Sequence, residues 1–114
     1  SDSKRRQQAL QLARRLYQTY PNNQLAMATL GWALLKTGSV EAAEPFITRA
    51  SQMGSMLPDT AYILAQMMVQ QGRKIQAKII LKPYLESRGL FLFRSQAKDL
   101  LKALSSDAQL PSPK

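Results

Sequence analysis

The sequence predicts an all-α fold: a superhelical solenoid of helix-turn-helix units, six helices in all, the last a C-terminal capping helix. Three observations predict it. Apolar residues recur at helical spacing along most of the chain. No segment sustains the alternation of a strand, and "LFLF" at 90–93 is too short and isolated to count. Finally, "TLGWALLKTGSVEAAE" at 29–44 has a counterpart 34 residues on (Leu30 to Leu64), where "ILAQMMVQQGRKIQAK" keeps the same small, large and turn positions. A chain of 114 residues with 45% apolar content holds one domain with a modest core.

The first helix is expected from Lys4 to Tyr20, with Ala9, Leu12, Ala13, Leu16, Tyr17 and Tyr20 on one buried stripe. "YPNN" stops it: Pro21 disfavours helix at the residue before it, and Asn22 or Asn23 can cap the next helix. The second helix runs from Gln24 to Thr37 and ends at Gly38, a residue suited to the left-handed backbone past a helix end. Ser39 caps the third, with Glu41 in its first turn, and "GSMLPD" breaks it after Met53. The fourth spans Asp59 to Gln71 and stops at Gly72; the fifth runs from Lys74 to Ser87. Pro45 and Pro83 fall inside helices, each costing about 3 kcal/mol if uncompensated, and are read as bends because the apolar period continues past both. The sixth covers Phe93 to Leu104. The boundaries are then one domain at 1–104, divided into a partial unit at 5–20, units at 24–55 and 58–88, and a cap at 91–104, with 105–114 a flexible tail.

Superposing the two units places Gly31 on Ala65, Leu34 on Met68, Gly38 on Gly72 and Ala43 on Ala77. Gly31 and Ala65 let two helices approach closely, and Ala9, Ala43 and Ala77 do so from the facing helix. Leu30 and Leu64 complete the repeat-packing set. This pattern, from Arg5 to Arg88, resembles tetratricopeptide repeats, a family of 34-residue helix-turn-helix units. The departures are specific: the signature aromatics are absent, and Ser55 and Gly89 stand where a closing proline is expected. Ala9, Ala13 and Pro21 match the second half of a preceding unit whose first helix is missing. "LGW" and the spacing of Phe91, Arg94, Ala97, Leu100, Leu101 and Leu104 are similar to the C-terminal repeats of bacterial tetratricopeptide proteins linked to exopolysaccharide export and exosortases.

The inventory argues against chemistry. With no Cys and no His, thiolate and imidazole catalysis and the usual zinc ligands are out of reach, and the seven carboxylates form no acid/base pair or metal cage. No cofactor is expected and the chain is read as a non-enzyme. No apolar run approaches the roughly 18 residues that cross a bilayer. The absence of Cys suits cytoplasm or periplasm, including an envelope-associated site, and the start without Met is expected of a processed chain or a fragment. A net charge of +9, gathered in "SKRRQQALQLARR" and "GRKIQAKIILK", fits solvated helix faces or an anionic partner.

The resemblance implies a protein–protein interaction scaffold in which the first helix of each pair lines a concave groove for a peptide or partner subunit. The expected groove residues are Leu25, Ala28, Trp32, Leu35 and Lys36, then Tyr62, Gln66, Val69 and Gln70. The second helix is apolar all round, so it is either sandwiched or presents a sticky surface. Trp32, the only tryptophan, is either exposed as a binding hot spot or packed on Tyr62 or on a missing upstream helix. The Asn and Lys set of chaperone-binding members is absent. Nucleic-acid or anionic-surface binding through the basic faces is the alternative function, weakened by the scarcity of aromatics among the Lys and Arg. A non-catalytic domain of a larger enzyme is a third reading, and self-association through the first helix is a further expectation.

Overall fold

The computed structural model describes residues 1–109, with side chains placed through residue 106. Six helices follow in order: α1 Asp2–Thr19, α2 Gln24–Lys36, α3 Val40–Ser51, α4 Pro58–Gln70, α5 Lys74–Leu85 and α6 Arg94–Gln109. They form an all-α helical-repeat solenoid. Each helix packs on its neighbours in sequence, and α2 also lies against α4.

Local chemistry accounts for the ends. Asn23 Oδ1 accepts from the Ala26 amide at 2.9 Å, and Ser39 Oγ from the Ala42 amide at 3.2 Å, each satisfying a donor that a first turn leaves open. α2 and α4 stop in the same way. Gly38 and Gly72 adopt φ of 93° and 78°, a region costly for any side chain-bearing residue. The turn then folds back: Ser39 N–H reaches Leu34 O at 3.1 Å, and Arg73 N–H reaches Met68 O at 2.7 Å. This six-residue closure with a glycine at its bend satisfies carbonyls that the last turn exposes. α3 and α5 continue through Pro45 and Pro83, both exposed, so the missing amide is lost on the solvent side.

The core runs along the stack. Met27, Leu30, Ile47, Met67 and Leu81 are among its fully buried large side chains, each contributing on the order of 1.5–3 kcal/mol by burial. Close approach of α2 and α3 depends on Gly31. A Cβ there would press into Ile47 Cγ1 and stand 3.1 Å from Ile47 Cδ1 and 3.3 Å from the Ile47 backbone N. One unit later the contact is made by Ala65, Ala77 and Leu81, all fully buried.

Polar side chains at the starts of α2 and α4 clip the backbone that closes each helix pair. Gln24, at the start of α2, donates to Met53 O and Ser55 O, both at 3.0 Å, and accepts from Leu57 N–H at 2.9 Å. Asp59, in the first turn of α4, accepts from the amides of Leu92 and Phe93 at 3.1 and 2.8 Å. Both clips hold the backbone just ahead of the next first-type helix, so α6 starts where a third unit would.

Three expectations need correction. Of the stripe expected to be buried on the first helix, Ala9, Leu12, Leu16 and Tyr20 are exposed, whereas Leu10 and Ala13 carry the burial on α1 and Tyr17 meets Phe46 edge-on with ring centroids 5.4 Å apart. The reason is that α1 packs on α2 and, among the described residues, no helix covers its other side. The sixth helix starts at Arg94 and continues to Gln109, so the part of the expected tail at 105–109 is helical; the remainder, 110–114, lies outside the described residues. The apolar stripe on this helix stops at Leu104, but nothing that breaks a helix comes after it until Pro111.

Candidate partner-binding groove

α2 is the middle of the molecule and is sandwiched between α1, α3 and α4, which is why it is apolar all round. Its sequence therefore spreads inward-facing residues over most of the helix circumference. Ala28 and Leu35 are buried in the core, not in a groove, and so is Tyr62 of α4. These three corrections have one cause: a helix with three packed neighbours has little face left for a ligand.

Trp32 is half-buried and sits at the centre of an aromatic cluster. Its ring meets Tyr62 and Phe93 edge-on, both with centroids 5.6 Å away, while Tyr62 and Phe93 stack at 4.8 Å. Such pairs add about 0.5–1.5 kcal/mol each beyond area burial. The Asp59 clip holds the backbone that carries Phe93, so a carboxylate on α4 positions a ring against the tryptophan of α2. Gln66 Nε2 donates to the Tyr62 hydroxyl at 2.9 Å, satisfying its polar end. Lys36 places its ammonium 4.6 Å from the centre of the Trp32 ring, a favourable arrangement of cation over a π face.

Two clefts flank Trp32. The larger, about 490 Å³, is lined by Leu16 and Tyr20 of α1, Leu25, Thr29 and Trp32 of α2, Ile63 of α4, and Leu92 and Phe93, with Asn23 and Asp59 at its polar points. Leu16, Tyr20, Leu25 and Leu92 are 41, 57, 38 and 68% exposed, so its walls present apolar surface to solvent. The smaller, about 390 Å³, is bounded by Arg5, Arg6 and Lys36, with Asp2, Ala9, Trp32 and Ala33. The first pairs the end of α1 with the start of α2, and the second pairs the start of α1 with the end of α2. The two helices thus run antiparallel, and the clefts are the two ends of one seam between them.

Of the groove residues expected from the sequence, Leu25 and Trp32 come together in the larger cleft and Lys36 joins Trp32 in the smaller. Gln66, Val69 and Gln70 line neither cleft; Val69 packs against the core and Gln70 faces solvent. Leu16, Tyr20, Leu92 and Phe93 were not anticipated as groove residues. The signal for two of them is in the sequence: Leu12, Leu16 and Tyr20 recur every four residues, a second stripe beside the buried Leu10 and Ala13 and the half-buried Tyr17. No group of His, Cys, Asp or Glu among the described residues could hold a metal ion, and no described helix is long and apolar enough to cross a membrane.

Paired helices at a 34-residue interval (Leu30 to Leu64) with matching glycine turns define the class: an all-α helical-repeat protein with an open seam on its first unit. Residues 2–54, which carry α1 to α3, match the family model of the tetratricopeptide repeat. The chain is thus similar to that family over its first half, and its second unit repeats the matched one in sequence and turn geometry. No curated protein and no solved structure matches the chain.

Proposed function

We propose that the chain is a non-catalytic interaction scaffold that holds a segment of a partner protein in the seam between α1 and α2. Tetratricopeptide repeats are in general protein–protein interaction modules, and the similarity over 2–54 covers both helices of this seam. The observation that carries the reading is the apolar cleft itself: four large apolar residues are left open to solvent beside a half-buried tryptophan. Surface of that kind stabilises an interface core by about 25 cal/mol per Å² of apolar area removed from water.

The test is affinity capture from host extract at physiological salt, with and without nuclease, comparing the wild-type chain with Leu16→Glu and Tyr20→Glu. Both positions are exposed, so neither change should disturb folding. A protein retained by the wild type, insensitive to nuclease and lost in both variants, is the expected result. Nucleic acid recovered alone would favour the alternative, in which Arg5, Arg6, Arg14 and Arg15 on α1 contact phosphate. Neutralising four phosphates implies roughly a hundredfold loss of affinity between low and moderate salt, whereas apolar contact is barely affected. The finer placement, in a bacterial assembly related to exopolysaccharide export, rests on "LGW" and the spacing of the last helix alone. Association of two copies through α1 belongs with these proposals.

A further inference from the structure

The chain contains its own precedent for the element that fills such a seam. α2 lies against both α3 and α4, occupying the seam between them. One unit earlier, α1 stands for α3 and α2 stands for α4 at the 34-residue offset (Ala9 to Ala43). Ala43 and Ala50 of α3 are fully buried, whereas their counterparts Ala9 and Leu16 on α1 are exposed. The difference is the helix: α3 has α2 over this face, and α1 has nothing described there.

We propose that the α1–α2 seam accepts an amphipathic α-helix of a partner protein, running parallel to α2 with an acidic last turn. This rests on the scaffold reading and names its ligand. The helical form is supported by the α2 precedent and by small residues, Ala9 and Ala33, at the floor of the smaller cleft, which permit close helix approach. The direction has the same source. α2 runs parallel to α4 as their superposed units require, so an equivalent helix over α1 runs parallel to α2. Its C-terminal end then meets Arg5, Arg6 and Lys36, three cations against the one carboxylate of Asp2. A helix C-terminus carries partial negative charge, and acidic residues in its last turn add to the attraction. In a second copy of this chain α2, α3 and α5 carry Lys36, Arg49 and Lys82 in their last turns and suit this end poorly; a second copy docking by another helix is an outcome of the test.

The probe is a synthetic peptide with the sequence of α2, held helical by a side-chain lactam. In it Trp32→Leu removes the fluorophore and Lys36→Glu supplies the acidic turn, while Leu35, buried in α2 itself, is kept. Trp32 of the intact protein, its only tryptophan, reports binding. The expected result is a saturable change in Trp32 emission, with affinity reduced about fivefold to tenfold for a control peptide that keeps the original Lys36. The protein variant Arg5→Gln/Arg6→Gln should bind both peptides alike. A peptide broken by Gly31→Pro that binds as well as the helical one would overturn the helix and leave the scaffold reading intact. Sedimentation showing a dimer that excludes the peptide would overturn the partner in favour of a second copy. No emission change with any peptide would overturn the seam as a helix site, while capture from extract still decides the scaffold reading separately.

Discussion

Gly31→Ala adds a single methyl group at the tightest contact between α2 and α3. That methyl would overlap Ile47 Cγ1 and lie 3.1 Å from Cδ1 and 3.3 Å from the backbone N of the same residue. Ile47 has no exposed surface, so its side chain has nowhere to swing, and the backbone contact yields only if α3 shifts. Overpacking of this kind costs about 1–3 kcal/mol. Against it, replacing glycine inside a helix returns roughly 0.5–1 kcal/mol. The net expectation is a loss of about 1–2 kcal/mol, a fall in Tm of about 4–8 °C for a domain of this size. Circular dichroism melts and urea titration measure it. The chain also supplies the compensating change: one unit later, Ala65 occupies the glycine position and Leu81 the isoleucine position. Leu, unbranched at Cβ, leaves room for the alanine methyl. The double variant Gly31→Ala/Ile47→Leu should recover about 1 kcal/mol relative to the sum of the single changes. A Gly31→Ala protein melting at or above the wild type would refute the reasoning, and Gly31→Leu should be more damaging still.

Four other perturbations test the remaining contacts. Thr60 Oγ1 is buried with no hydrogen-bond partner among the described residues, so Thr60→Val should raise stability by about 1 kcal/mol in chemical denaturation. Asp59→Asn keeps only one carboxylate-like acceptor for two amides; a loss of about 1–3 kcal/mol is expected, with a red shift of Trp32 emission as Phe93 loosens. An unchanged spectrum would detach Asp59 from the aromatic cluster. Gln24→Ala removes three hydrogen bonds that hold the connection between α3 and α4 and should increase amide exchange in 53–57 before it lowers the melting temperature. Trp32→Ala should weaken partner capture, and because Trp32 packs on Tyr62 and Phe93 it should also cost stability on the order of 2 kcal/mol.

The helices, their stops and the two-unit repeat were legible in the sequence because each is a local property. Asn23 and Ser39 satisfy amides three residues away, Gly38 and Gly72 reverse the chain within one turn, and the small positions recur at the same offset. The candidate site was legible only in fragments. Leu25 and Lys36 could be placed on a surface by spacing, Trp32 was left between an exposed face and packing on Tyr62, and Ala28, Leu35 and Tyr62 could not be assigned to the core. An apolar residue on a sandwiched helix reads the same as one on a binding face. The same ambiguity put Ala9 inside and left Leu16 and Tyr20 out of the groove: two apolar stripes share α1, and only the position of α2 selects which is covered. The Asp59 clip and the stacking of Phe93 on Tyr62 join residues from separate units. No sequence period encodes such contacts, because they depend on the angle at which whole helices meet. The sequence by itself determined what each helix is. Which faces were buried, and where a partner has room, was decided by the number of neighbours each helix acquired on folding.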